Sequence, residues 1–327
     1  MPFYLIILLF TYLMQLLFND LFDNQIQFGE KIVNAFNKSH IHSVLAFAHT
    51  QCGKTGAILA TIHLSKIHSN NIFIITGLSS VDWINQTKNR IPISNIFHRN
   101  TLHNFIQKLS YSSNPLVFID ECHIASKPGQ AIHNILPLLR KFNAKTVFVS
   151  ATPNLDFFKP DGVLKHGFAI RVMLDPPNYV SIPSILNHTF QCKNISDHPD
   201  ALTHIQEIIP FIGSVPAYHI IRTPRHELHR ITINNFKSLF PDFILLSMPE
   251  NIHSILSVKP TVHTFIFIKD TLRCAITIPK TFIGILYERF SFKPNPSSVI
   301  QGLAGRATGF YNNKIVVFSF PDILSTV

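Results

Sequence analysis

Continuous apolar runs alternate with amphipathic stretches along most of this chain. SVLAFAH (43–49), NIFIITG (71–77), PLVFIDE (115–121) and KTVFVSAT (145–152) are apolar through their centres, and each leads into polar residues. Such runs predict strands buried on both faces, since a half-exposed strand would alternate apolar and polar positions. Between the first two, TGAILATIHLSKIHS (55–69) sets Ile58, Leu59, Ile62 and Ile67 at helical spacing. Strands separated by helical lengths predict an α/β unit with a mostly parallel sheet. From Pro153 to about residue 213 the rhythm breaks. Pro153, Pro160, Pro176, Pro177, Pro183, Pro199 and Pro210 cut this part into short pieces, with GFAIRVML (167–174) as one candidate strand. The pattern then returns at 215–223, 242–247, 261–269, 280–288 and 314–320, with a helical stretch over 225–240. The expected organisation is an apolar N-terminal helix (1–22), a first α/β domain (23–153), a linker or extension (154–213) and a second α/β domain (214–327).

The N-terminal run FYLIILLFTYLMQLLF (3–18) carries no charge. It is short against the roughly 20 residues of a spanning helix, and it lacks the basic flank and small-residue cleavage site of a secretory signal. Three readings stand: a helix packed on the first domain, a membrane-associated segment, or a start placed too far upstream.

Charge changes the picture more than size does. The 327 residues hold 28 Lys and Arg against 18 Asp and Glu, a net charge of +10, although charged residues make up only 14% of the chain. That balance favours a polyanionic partner, either nucleic acid or an acidic membrane surface. The four cysteines, Cys52, Cys122, Cys192 and Cys274, are far apart. They form neither a disulfide framework nor a zinc knuckle, and fit an intracellular, reducing compartment. His40 with His42, and His226 with His229, lack a second pair of ligands at metal-binding spacing.

The candidate chemistry sits where the strands end. Ala48, His49, Thr50, Gln51, Cys52, Gly53, Lys54 and Thr55 match a phosphate loop placed between a strand and a helix. In such a loop backbone N–H groups wrap the phosphates and glycine avoids a Cβ clash. Lys54 reaches the outer phosphates and Thr55 ligates Mg²⁺. Asp120 and Glu121 end the strand PLVFIDE. A carboxylate at Asp120 suits the Mg²⁺ shell, and Glu121 is placed to polarise an attacking water. Ser150 and Thr152 close the next strand, with hydroxyls either for His123 and Glu121 or for capping the strand. Near the end lies QGLAGRATGF (301–310), with Gln301 and with Arg306 between glycines.

The phosphate loop, the DECH box (120–123) and the SAT triplet (150–152), in this order, resemble superfamily 2 helicases and translocases of the DExH type over residues 20 to 318. The resemblance implies two RecA-like domains, each a mostly parallel sheet covered by helices, with the ATP site in the cleft between them. It implies ATP and Mg²⁺ as cofactors, with Lys54, Asp120, Glu121 and Arg306 catalytic and Thr55 and Asp120 on the metal. Gln25 resembles the glutamine that recognises adenine, and His123, Ser150, Thr152 and Gln301 fall at coupling positions. Arg306 corresponds to an arginine that stabilises the transferring phosphate. The family's second arginine in that motif is absent, Phe310 standing near its place. Nucleic-acid contacts would come from Trp83, Gln86, Lys88 and Arg90, and from Arg222, Arg225, Lys269 and Arg273. The segment 75–90 and the GRATG tail are similar to helicases of large DNA viruses, which favours DNA over RNA, and the 21 residues after Arg306 leave little room for an accessory domain, so accessory proteins are expected to supply it. The activity implied is an ATP-driven helicase or translocase. The alternatives are a nucleic-acid-stimulated ATPase that does not unwind, a nucleic-acid-binding subunit with a vestigial site, and a membrane-tethered NTPase.

Overall fold

The structure is a computed structural model and describes residues 14–152, 167–269 and 277–326. The chain forms two compact units, Met1–Pro177 and Asn178–Val327. Among the described residues each unit holds a six-stranded sheet, and every strand pair is parallel.

The first unit begins with helix α1 (Asp23–Phe36), followed by β1 (Ser43–Phe47), α2 (Lys54–Ser65), β2 (Ile72–Thr76) and α3 (Val81–Arg90). Strands β3 (Ile96–Phe97), β4 (Leu116–Asp120), β5 (Lys145–Ser150) and β6 (Phe168–Val172) complete its sheet, in the order β3-β2-β4-β5-β1-β6. The four apolar runs are its four central strands, for a simple physical reason. Val44, Phe73, Ile74, Val117, Phe118, Val147 and Phe148 are fully buried, because parallel strands are covered on both faces. Helix α2 is apolar on more than one side because α1 packs over it as the sheet lies beneath, and Ala57 to Ile62 are all buried.

Register brings the polar ends of these strands to one edge. Phe47 pairs with Ser150, and Thr76 pairs with Asp120. The segments that follow β1, β2, β4 and β5 therefore leave from the same side of the sheet, the side on which α/β folds bind ligands.

The second unit holds β7 (Thr189–Gln191), β8 (Tyr218–Arg222), β9 (Ile244–Ser247), β10 (Thr264–Ile268), β11 (Ile283–Tyr287) and β12 (Val316–Ser319), ordered β7-β12-β11-β8-β10-β9. Its core is rich in aromatic rings, with Phe236, Phe265, Phe267 and Phe318 packed on Ile220, Ile221 and Leu286. The expected linker over 154–213 needs correction. Within it, β6 joins the first sheet beside β1 and β7 joins the second beside β12. These strands sit at sheet edges and are half-exposed, so they lack the long apolar run that marks the central ones.

The apolar N-terminal run lies mostly outside the described residues. Within its last part Met14 is buried, and Phe18 stacks on His63 of α2 with ring centroids 4.2 Å apart. No helix among the described residues is long and apolar enough to cross a membrane.

Candidate functional site

The phosphate loop follows β1 and turns into α2. Gln51 and Gly53 both take left-handed backbone conformations, with φ of 60° and 101°. Gly53 is required on two counts. The left-handed region disfavours a side chain, and a Cβ there would lie 2.3 Å from the amide nitrogen of Gln25. α2 starts at Lys54, so the first turn presents backbone N–H groups that no helical carbonyl can satisfy, the usual seat of a phosphate. Lys54 is half-buried and its ammonium donates to the carbonyl of His49 at 3.2 Å, folding the side chain back along the loop. His49 itself pairs with Asp175 at 2.9 Å, while Cys52 is buried with its thiol 3.9 Å from Met173 sulfur. Burial pushes the Cys52 thiol up to about 11, so it stays protonated and packs as a small apolar side chain.

Gln25 corrects one expectation. Its carbonyl accepts the N–H of Phe22 at 3.0 Å and its amide donates to the carbonyl of Gly53 at 3.1 Å. Here it caps α1 and braces the phosphate loop from behind, with both polar atoms engaged by the protein itself.

Asp120 and Glu121 end β4 as expected, in different surroundings. Asp120 accepts the backbone N–H of Glu121 on Oδ1 at 3.0 Å and the indole N–H of Trp83 on Oδ2 at 2.9 Å. Withdrawal from water, reinforced by the charge of Glu121, pushes the Asp120 carboxyl up to about 6. Glu121 is 3% exposed, and its Oε2 is buried without a hydrogen-bond partner, His123 Nδ1 standing 3.6 Å away. An unsatisfied carboxylate oxygen costs free energy until a donor comes to it. Two adjacent acids, one with an unserved oxygen, beside a loop lysine form a donor set that fits Mg²⁺ and a water.

His123 Nδ1 lies 3.0 Å from Ser150 Oγ, which also accepts the N–H of Thr152 at 3.0 Å. Burial, helped by the charge of Lys54, pulls His123 down to about 4, so the ring is neutral at ordinary pH. The structure thus brings Lys54, Asp120, Glu121, His123, Ser150 and Thr152 to one edge of one sheet.

Trp83, for which both a nucleic-acid contact and burial in the core were open, is buried in this structure. It is 3% exposed, because a buried indole needs a partner for its N–H and Asp120 supplies one. The outward side of α3 carries Lys88 and Arg90, both exposed, and Gln86 is half-buried.

In the second unit Arg222 is likewise corrected. It ends β8 with 8% exposure and its guanidinium pairs with Glu288 at 2.7 Å. In this structure its guanidinium is engaged by that buried glutamate. Glu288, which the sequence reading passed over, also accepts the N–H of Leu303 at 3.2 Å and of Arg289 at 3.0 Å. It thereby fixes the start of the short helix Leu303–Arg306. Arg306 is 1% exposed and donates from Nη2 to the carbonyl of Gln301 at 3.3 Å. Burial, helped by the charge of Arg306, pulls Lys280 down to about 8. Phe310 is exposed and meets Tyr179 edge-on, with ring centroids 5.9 Å apart. Arg225 is exposed and Lys269 half-exposed, while Arg273 lies outside the described residues.

One further ligand cluster escaped the sequence reading. Among the described residues, His198, Asp200 and His204 bring ligand atoms within 4.8 Å of one another around a short helix start. Their spacing is neither of the histidine pairs considered above, and His229 of those pairs is bound to Thr223 at 2.6 Å and Ser247 at 2.9 Å.

Comparison with known proteins decides the fold. Yeast Dbp5 bound to RNA and ADP BeF3 superposes with a TM-score of 0.57 at 13% identity, over 91% of this chain and 85% of that one. MrfA, a DUF1998 helicase bound to DNA and AMPPNP, gives 0.56 at 13% identity over 91% of this chain. Escherichia coli HrpB, a DEAH/RHA helicase, gives 0.54 at 12% identity over 91% of this chain. The fold is the one that these helicase structures share. Each of its two RecA-like domains is one of the parallel sheets described above. The chain spans 48% of MrfA and 43% of HrpB. In sequence it is 25% identical over 331 aligned positions to uncharacterised protein L594 of Acanthamoeba polyphaga mimivirus, covering 89% of this chain and 82% of that protein. No protein-family model matches the chain.

Proposed function

We propose that this chain is an ATP-dependent helicase or translocase that couples ATP hydrolysis to movement on a nucleic-acid strand. The observation that carries the reading is the shared edge of the first sheet. There a phosphate loop with left-handed Gln51 and Gly53 meets a buried acid pair whose Glu121 Oε2 has no hydrogen-bond partner. Mg²⁺, if bound, would supply positive charge against the phosphates. The loop N–H groups and Lys54 hold the phosphates, while Thr55 and Asp120 hold the metal. Glu121 accepts a proton from the attacking water, and the neutral His123 stands beside it with Nδ1 bonded to Ser150. Arg306, from the resemblance, would supply a guanidinium to the transferring phosphate on leaving the carbonyl of Gln301.

The strand is bound by the cationic residues at the helix and strand ends, Lys88, Arg90, Arg225 and Lys269, in a sequence-independent manner. Both kinds of strand occur among the structural relatives, RNA with Dbp5 and DNA with MrfA. DNA is the strand we propose, from the similarity of segment 75–90 to helicases of large DNA viruses.

Steady-state ATPase measurements with and without single-stranded DNA or RNA, beside a strand-displacement assay, test the reading. Stimulated turnover is expected. Glu121→Gln should lower it at least about 100-fold, the usual worth of a general base, and Arg306→Ala about 1,000-fold, the lower range for a supplied arginine. Turnover without displacement would reduce the proposal to translocation. Turnover unaffected by Lys54→Ala would sink it.

A further inference from the structure

Asp120 is held from two sides. One carboxylate oxygen accepts from Glu121 N–H and the other from the Trp83 indole. A carboxylate is planar, so a donor on each oxygen fixes the rotation of the group and the direction of its remaining lone pairs. The first donor is the next residue in the chain. The second comes from α3, 37 residues earlier.

Local geometry is arranged to deliver that second donor. Gly77 leads out of β2 so close to the loop after the acid pair that a Cβ there would sit 2.1 Å from the carbonyl of Ile124. Only glycine permits this approach. Ser80 then caps α3 by accepting the backbone N–H of Trp83 at 3.2 Å, and Thr87 donates to the carbonyl of Trp83 at 2.8 Å. The tryptophan is thus tied at both backbone groups and at its ring. Other residues could fill the space with carbon, whereas the N–H is aimed at one acid.

We propose that Trp83 is a positioning residue for Asp120: its indole N–H sets the orientation in which this carboxylate meets the divalent cation and ties that orientation to α3. The inference rests on the nucleotide-hydrolysis reading above. Because α3 also presents Lys88 and Arg90 outward, a shift of the helix is transmitted to the carboxylate through one hydrogen bond.

The chain contains a single tryptophan, so its emission reports this contact alone. In the full chain, Mg²⁺ titrated in the presence of ADP should change the emission of the wild type. ADP with EDTA should not, and neither should Mg²⁺ and ADP with Asp120→Ala. In parallel, position 83 is replaced by benzothienylalanine, which keeps the ring shape without the N–H, and by Trp83→Phe. Calorimetry should show the half-saturating Mg²⁺ concentration raised about tenfold, as loss of one hydrogen bond to a charged group implies, with ADP affinity in EDTA unchanged. That unchanged affinity also shows that each variant is folded, and the isostere decides if Trp83→Phe is not.

An unaltered Mg²⁺ requirement in the isostere overturns the inference. So does silent emission in a wild type that binds Mg²⁺ and ADP, or an emission change that survives Asp120→Ala. Each of these leaves the nucleotide reading standing. ADP binding without ATP turnover has the reverse effect, removing the hydrolysis reading while the positioning result stands on binding. No ADP binding at all overturns both.

Discussion

Arg222, Trp83 and Gln25 share one lesson at the scale of the residue. Each stands at a position where the sequence alone points to a ligand, and each is spent on a partner distant in the chain. Arg222 meets Glu288 66 residues later, and Gln25 reaches Gly53 28 residues later. A polar side chain's exposure is decided by partners that local patterning does not reveal. The residues that were legible, Gly53, Lys54, Asp120 and Glu121, are those whose chemistry depends on spacing within one short segment. The buried pair gives a direct prediction. Glu288→Ala takes the carboxylate from a buried guanidinium, and urea unfolding should show a loss of about 3–5 kcal/mol, the range for breaking a buried pair. Replacing both partners with apolar residues of similar volume should cost less than Glu288→Ala alone.

Among the elements, the central strands were readable because burial on both faces writes itself as an unbroken apolar run. β3 was not, since two residues cannot carry a pattern. β6 was read as a candidate strand but assigned to a linker, because an edge strand with Phe168, Ala169 and Arg171 half-exposed lacks the apolar signature of a sheet interior. Helix α3 shows how one element can serve two surroundings, with Trp83 and Thr87 turned inward at i and i+4 and Lys88 and Arg90 outward. If its outer face contacts phosphates, Lys88→Ala with Arg90→Ala should lower the slope of log affinity against log salt by about 1.4 for a single strand, at roughly 0.7 per contact. Fluorescence anisotropy across a salt series measures that slope. An unchanged slope would remove α3 from the strand-binding surface.

On the scale of the whole molecule, the pH dependence of stability follows from buried neutral histidines. His219 is 1% exposed, its Nε2 lies 3.1 Å from His263 Nδ1, and burial with the facing ring pulls it down to about 3. The unfolded chain takes up a proton near the ordinary value of about 6.5, while the folded chain refuses it. Stability is therefore fully present above that value and is lost as pH falls toward 3, at up to about 1.4 kcal/mol per pH unit for one such group. His123, pulled down to about 4, adds to the same limb. Thermal melts from pH 7 to pH 4 should show a shallower decline for His219→Leu than for the wild type.

The carboxylate of Glu288 joins the end of β8, through Arg222, to the N–H that opens the Leu303–Arg306 turn. Substitutions at these places are consequently coupled in their order as well as their size. A lineage that loses Glu288 first removes the carboxylate from Arg222, and one that loses Arg222 first leaves Glu288 with the backbone donors of Leu303 and Arg289. Drift at the strand end is thus constrained by the turn that carries Arg306, whether or not either residue ever touches a ligand.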